Sequence, residues 1–345
     1  MHIDEILAAA VAEKASDIHI TVALPPMFRV NGVLVPMAGA EKLDPADTHR
    51  LVYQMFSERQ QVLFAERGEL DFSYGVPSLG RFRVNAFKQR GSISAALRVI
   101  PTQVPDAKTL GLPEIILQLT KKHQGLILVT GPTGSGKSTT LACMIDTINR
   151  ERDCHIITLE DPIEYLHRHN KSIINQREIG LDSHSFASAL KASLRQDPDV
   201  ILVGELRDLE TISTALTAAE TGHLVLATLH TNNAIGTVDR IVDVFPPHQQ
   251  AQIRLQLASV LEAVIAQQLL PRADGKGRVA AFEILLATPA VRNLIREAKT
   301  YQIMSLIQTG SRIGMKSFDM AYKELLAKGL VSREVIAARA TDLKI

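Results

Sequence analysis

The chain has 345 residues, 38 Lys plus Arg against 37 Asp plus Glu, 46% apolar residues, two cysteines and no tryptophan. That length allows about two domains of ordinary size. The formal net charge of +1 argues against a protein that coats nucleic acid or an anionic bilayer, since such proteins carry a global positive excess. Cys143 and Cys154 cannot build a disulfide framework and fall short of the ligands a Cys-rich zinc site needs, so a reducing compartment fits. Met1-His2-Ile3-Asp4-Glu5 is not a basic segment leading into an apolar run, and no stretch of about 20 apolar residues occurs. The expectation is a soluble, cytoplasmic protein that reaches a membrane only through partners.

Ile3, Ile6, Leu7, Ala10 and Val11 recur at helical spacing. Strand patterns follow at Asp17 to Val22, Phe28 to Val30 and Val33 to Val35, the last two flanking Asn31-Gly32, whose tolerance of positive φ favours a two-residue hairpin. Residues 44–67 open with Asp before Pro and read as one or two helices, and strands return at Glu69 to Tyr74, Gly80 to Lys88 and Ser92 to Ile100. Residues 1–100 therefore predict a small α+β domain with a largely antiparallel sheet. Pro101 and Pro105 mark a linker, taken as 101–113. From 114 to 345 short apolar runs alternate with helix-length segments: Leu126 to Thr130, His155 to Leu159, Val200 to Val203 and Leu224 to Thr228. That is how a parallel sheet covered on both faces is written, and the chain from about Pro289 onward is nearly all helical pattern.

Gly131-Pro132-Thr133-Gly134-Ser135-Gly136-Lys137-Ser138 matches GxxxxGK[ST] in full, follows a strand and opens a helix. The glycines let backbone N–H groups wrap a polyphosphate, and the helix N-terminus adds positive potential. Lys137 brings a charge to the β/γ oxygens, and Ser138 offers a hydroxyl to Mg²⁺. ATP with Mg²⁺ is the expected ligand, with Thr139 completing the loop. Two acidic groups stand at the carboxyl ends of apolar strands: Glu160-Asp161-Pro162-Ile163-Glu164 and Gly204-Glu205. Ligands collect at that edge of an open α/β sheet, so Glu205 is a candidate for Mg²⁺ and Glu164 for activating water. Asp197 and Asp199, at the entrance of their strand, read as turn or cap residues.

His223 and His230 bracket one strand, so they cannot share a metal, and by spacing alone each is more readily a packing residue. Alternation puts Phe82, Val84 and Ala86 on one face and Arg81, Arg83 and Asn85 on the other, and Arg98 lies opposite Leu97 and Val99. Three guanidinium groups there fit a solvated face, which pattern alone favours, or arginine fingers reaching a phosphate site across an interface.

GPTGSGKST at 131–139, ITLEDPIEY at 157–165, DPDVILVGELRD at 197–208 and TGHLVLATLHT at 221–231 resemble the motifs of the secretion ATPase superfamily of type II secretion and type IV pili. ASDIHI at 15–20, RFRVNAF at 81–87 and AVRNLIRE at 290–297 resemble its pilus-retraction branch, with Val291 and Leu206 as single conservative departures. The resemblance implies an α/β protein with a PAS-like N-terminal domain and a RecA-like P-loop ATPase domain with C-terminal helices, assembled as a homohexamer. It implies Glu164 polarising water, Glu205 serving Mg²⁺, His223 and His230 sensing nucleotide state, and Arg81, Arg83 and Arg98 meeting the nucleotide. Arg292 and Arg296 would serve coupling to retraction. Implied partners are an inner-membrane pilus platform protein and, indirectly, pilin, with no direct nucleic acid. Extension ATPases of the superfamily usually add a long N-terminal domain and a tetracysteine zinc site, and neither is expected here. The rival readings are a conjugation-type traffic ATPase, a nucleic-acid-binding RecA-fold protein, and a ring in which nucleotide is only a structural clamp.

Overall fold

The computed structural model describes residues 1–77, 79–101 and 103–339, which form two compact units. The first takes residues 1–103 together with Glu164–Leu166, and the second takes 104–163 and the described chain from His167 onward.

The first unit opens with α1 (Ile3–Ala12), whose start is closed by a capping box between His2 and Glu5. Then come β1 (Asp17–Ile20), β2 (Met27–Val30) and β3 (Val33–Pro36). Asn31 at φ 50° and Gly32 at φ 86° make the β2–β3 turn the type whose two central residues both need positive φ, as Asn-Gly predicts. The helical stretch resolves into two helices, α2 (Pro45–Tyr53), capped by Asp44, and α3 (Glu58–Arg67), capped by Ser57 and ended by left-handed Gly68. β4 (Glu69–Val76), β5 (Gly80–Gln89) and β6 (Ser92–Ile100) complete an antiparallel sheet in the order β3-β2-β1-β6-β5-β4. Phe82, Val84 and Ala86 enter the core with Phe28, Phe64 and Leu97, while Arg83 is exposed on the other face. Each large side chain so buried contributes roughly 1.5–3 kcal/mol, enough to fix the register of β5.

In the second unit α4 (Ala107–Leu110) and α5 (Glu114–Leu119) precede β7 (Gly125–Thr130), α6 (Lys137–Glu151), β8 (His155–Glu160) and β9 (Ile173–Glu178). There follow α7 (Phe186–Ser193), β10 (Val200–Val203), α8 (Leu209–Glu220), β11 (Leu224–Leu229), α9 (Ala234–Asp243) and α10 (Pro247–Val260). β12 (Leu261–Pro271) and β13 (Arg278–Leu286) close the sheet, and α11 (Pro289–Arg296), α12 (Ile303–Thr309), α13 (Phe318–Ala327) and α14 (Arg333–Ala337) end the described chain. The strand order is β13-β12-β7-β11-β10-β8-β9, parallel except for the β12–β13 pair. Alternate residues of the central strands feed two cores. Leu126, Leu128, Ile201 and Val203 pack with α7 to α10, and Ile127, Val129, Val200 and Leu202 pack with α5 and α6. Both faces are covered, which is why these strands read as unbroken apolar runs. Burial pushes the Cys143 thiol in α6 up to about 11, so it is an inert core group.

Candidate active site

β7 runs straight into the glycine-rich loop, and α6 begins at Lys137. Gly131, Gly134 and Gly136 have φ of 146°, 77° and 89°, a conformation that L side chains resist. The need for glycine differs among them. A Cβ on Gly131 would lie 2.3 Å from the Gln267 carbonyl oxygen, and one on Gly136 would lie 2.8 Å from Gln267 Nε2, whereas Gly134 faces open space and is set by φ alone. Lys137 Nζ donates to the carbonyls of Gly131 at 2.7 Å and Pro132 at 3.1 Å, so the loop holds its own lysine in place. Ser135 Oγ is buried with no hydrogen-bond partner among the described residues. Pro132, Thr133 and Gly134 are exposed, and Ser138 and Thr139 are half-buried in the first turn of α6.

The parallel order β7-β11-β10-β8 brings the carboxyl ends of four strands to one edge, and with them the loop, His230, Glu205 and Glu160. Gly204 lets the chain leave β10 close to β8: its N–H donates to Leu159 O at 2.7 Å, and a Cβ would meet that oxygen at 3.0 Å. The Thr228 hydroxyl donates to Gly204 O and the Leu206 N–H to Thr228 O, tying the Glu205 segment to β11. Glu205 is held by Arg207 Nη2 at 2.7 Å and His230 Nε2 at 3.2 Å. Partial burial raises its pKa, but the hydrogen bonds and charges of Arg207 and His230 outweigh that and leave it below the usual glutamate range. The carboxylate is therefore ionised at neutral pH, with stability from these contacts that is lost as pH falls through its folded pKa. Glu160 Oε1 accepts from Thr158 Oγ1 at 2.6 Å and Gln176 Nε2 at 3.2 Å, which commits it to the strand end. Asp199 caps the entrance of β8 by accepting the His155 N–H at 2.8 Å, as its position predicts.

Other candidates lie elsewhere. His223 stands at the opposite end of β11 from His230, where its carbonyl accepts the Gly125 N–H at 3.0 Å and its Nδ1 lies 2.9 Å from Ala218 O. It is thus a strand-length away from the loop of its own chain. Glu164 groups with the first unit, in the segment whose Leu166 N–H donates to Pro101 O at 3.2 Å. Arg81, Arg83 and Arg98 also belong to the first unit, where Arg83 and Arg98 are register partners. Arg98 Nε donates to Asp17 Oδ1 at 2.9 Å, and Arg83 has no ion-pair partner among the described residues. Arg292 is a staple: it donates to the carbonyls of Ala287, Ala258 and Ser259 and, at 2.7 Å, to Glu262. Arg296 is exposed. Sequence pattern does not single out Arg207 or Gln267. Arg207 shows there only as a cation two residues past a strand-end acid, and Gln267 as an amide inside an apolar run.

A Ser hydroxyl, one ionised carboxylate and substrate phosphates are hard oxygen donors that suit Mg²⁺, which takes few protein ligands and keeps several waters. No cluster of three or more His, Cys, Asp or Glu that could hold a metal ion occurs among the described residues.

The type II/IV secretion system protein family matches residues 1–335. The chain belongs to that family. It is 51% identical over 334 residues to the type IV pilus retraction ATPase PilT of Pseudomonas aeruginosa, covering 97% of this chain and 96% of the relative. A crystal structure described as the pilus retraction motor PilT with bound ADP superposes with a TM-score of 0.91 at 51% identity, covering 100% of this chain and 98% of the other. The ATPase DotB of Legionella pneumophila superposes with a TM-score of 0.84 at 30% identity over 97% of this chain and 94% of the other. The family assignment agrees with the α/β fold class expected from the motifs. No helix among the described residues is long and apolar enough to cross a membrane.

Proposed function

We propose that the chain is an ATP hydrolase of the secretion-ATPase family that powers type IV pilus retraction, and so twitching motility, as a homohexameric motor. The observation that carries this reading is the convergence of a complete phosphate loop with Glu205 and His230 at one sheet edge, in a chain 51% identical to a retraction ATPase along nearly its whole length. The loop amides from Pro132's neighbours to Thr139 and the α6 N-terminus bind the phosphates. Lys137 leaves the Gly131 and Pro132 carbonyls for the β/γ oxygens. Ser138 and Glu205 would hold Mg²⁺, which neutralises phosphate charge when bound. Glu164 orients the attacking water and takes up its proton, and Arg81, Arg83 and Arg98 offset charge on the transferring phosphoryl group. His230, in contact with Glu205, reports phosphate loss to β11, and His223 acts at the far end of that strand. Two compact units joined near Pro101 to Pro105 give hydrolysis a rearrangement to drive.

The proposed partners are an inner-membrane pilus platform protein and, indirectly, pilin, with the motor in the cytoplasm and no direct nucleic acid. The second reading is a conjugation-type traffic ATPase moving protein or nucleoprotein substrates, and the 51% identity to a retraction ATPase favours the first. Purified wild-type protein should hydrolyse ATP, with folded Lys137→Ala and Glu205→Ala variants slowed by roughly 10²-fold or more, the scale of losing one transition-state contact. Wild-type rates in both variants would remove the proposal. DNA affinity that falls steeply between about 50 and 200 mM salt would favour the nucleic-acid rival instead.

A further inference from the structure

Gln267 is 3% exposed and lies in the apolar run Val264-Ile265-Ala266-Gln267-Gln268-Leu269-Leu270 of β12. An amide buried among such neighbours is costly unless bonded, so an apolar residue would serve packing alone better. The last register pair between β12 and β7 is Ala266 with Thr130, so Gln267 comes next to the first residue of the phosphate loop. Three of its atoms meet three different parts of that structure. Its carbonyl oxygen occupies the space beside Gly131, its Nε2 the space beside Gly136, and its Oε1 accepts a 2.7 Å hydrogen bond from the buried Thr140 hydroxyl. Thr140 sits one turn into α6, directly after Lys137, Ser138 and Thr139. The amide is placed with Oε1 toward the helix and Nε2 toward the loop.

We propose that Gln267 is a positioning residue of the nucleotide site, a template on β12 whose side-chain amide lies against the loop at Gly136 and pins the first turn of α6 through Thr140. Gly131 and Gly136 are already demanded by their positive φ, and at Gly136 the Gln267 amide adds a second constraint from beneath the loop. The path of the loop and the first turn of α6, which carries Ser138, are then built into the fold before nucleotide arrives, which lowers the ordering cost of binding. The proposal deepens the ATP-site reading and rests on it.

The test uses full-length Gln267→Met, Thr140→Val, Thr140→Ser and the Met/Val double variant. Three quantities are measured: ADP affinity by calorimetry, the KM and kcat for ATP, and the melting temperature. Gln267→Met and Thr140→Val should each weaken ADP binding and raise KM by about tenfold. Leaving one buried partner unpaired costs about 1–3 kcal/mol, so melting should fall by about 2–12 °C with the variants still folded at assay temperature, and Thr140→Ser, which keeps the hydroxyl, should bind as wild type does. The double variant should bind no worse than Gln267→Met, because both changes break one arrangement. Folded variants with wild-type ADP affinity, or a fall in melting temperature with affinity unchanged, would overturn the proposal. If Gln267→Met does not fold, the Val and Ser changes at Thr140 decide the matter alone. A wild-type chain that binds ADP without turning over ATP would sink the hydrolase reading, and the ADP affinities would still judge Gln267.

Discussion

Glu283 on β13 is 2% exposed, and its Oε1 accepts the Ala234 N–H at 2.8 Å, with the Phe318 amide as a further backbone partner. Ala234 and Phe318 are the first residues of α9 and α13, so one carboxylate sits at two helix N-termini, where negative charge is favoured. Glu283→Leu strips the acceptor from a buried N–H, at about 1–3 kcal/mol, and removes a charge–dipole contribution of about 0.3–1 kcal/mol. Relief from burying a carboxylate offsets part of this, leaving a net loss of roughly 1–3 kcal/mol. For a unit of this size that is about 2–4 °C of melting temperature per kcal/mol. Glu283→Gln keeps an acceptor and should lose under about 1 kcal/mol. The two changes also differ in pH response. Burial pushes the Glu283 carboxyl above the usual range, against the pull of the Ala234 and Phe318 amides. The folded state therefore binds more protons between the unfolded and folded pKa values, and stability from this group falls as pH rises through that window. Melting curves of wild type and both variants, recorded from about pH 5 to 8, check this. A Leu variant as stable as wild type, or a Gln variant that keeps the same pH slope from this group, would refute the reasoning.

Arg292→Ala breaks bonds to three carbonyls and Glu262 at the junction of α10 and β12, and should cost roughly 2–4 kcal/mol. Arg296→Ala, at an exposed site, should stay within about 0.5 kcal/mol, so equal melting temperatures for the two would contradict the staple. In the first unit Arg98 is committed to Asp17, while its neighbour Arg83 is not. Turnover should fall at least about tenfold in Arg83→Ala and by less in Arg98→Ala, whose guanidinium must first leave Asp17. The reverse order in a steady-state ATPase assay would show that Arg98 is the arginine that reaches the nucleotide.

Local chemistry was legible in the sequence wherever a short segment carries its own constraint. Asn31-Gly32 names its turn, the alternation of β5 names its buried face, and Gly131 to Ser138 names its ligand class. The elements that escaped depend on distant partners. β12 follows α10 without Gly or Pro between them, so the apolar residues from Ile253 to Leu270 show no boundary; it comes at Leu261, where ψ is 127°. β9 is a sheet edge with Ile173 and Asn175 exposed, and its polar residues hide its strand character. Gln267 meets Thr140 across 127 residues, a separation at which no periodicity carries information. The histidines separate for the same reason. Six residues of strand put His223 and His230 at opposite ends of β11, and only the sheet's direction tells which end carries the loop.

The central claim is that ATP turnover at the Lys137 and Glu205 site drives pilus retraction. It is tested most directly by watching labelled pili in cells that lack this protein and are complemented with wild type, Lys137→Ala or Glu205→Ala. Retraction restored by wild type alone, with pili left extended in both variants, is the predicted result. Retraction that either folded variant restores to the wild-type rate would contradict the account.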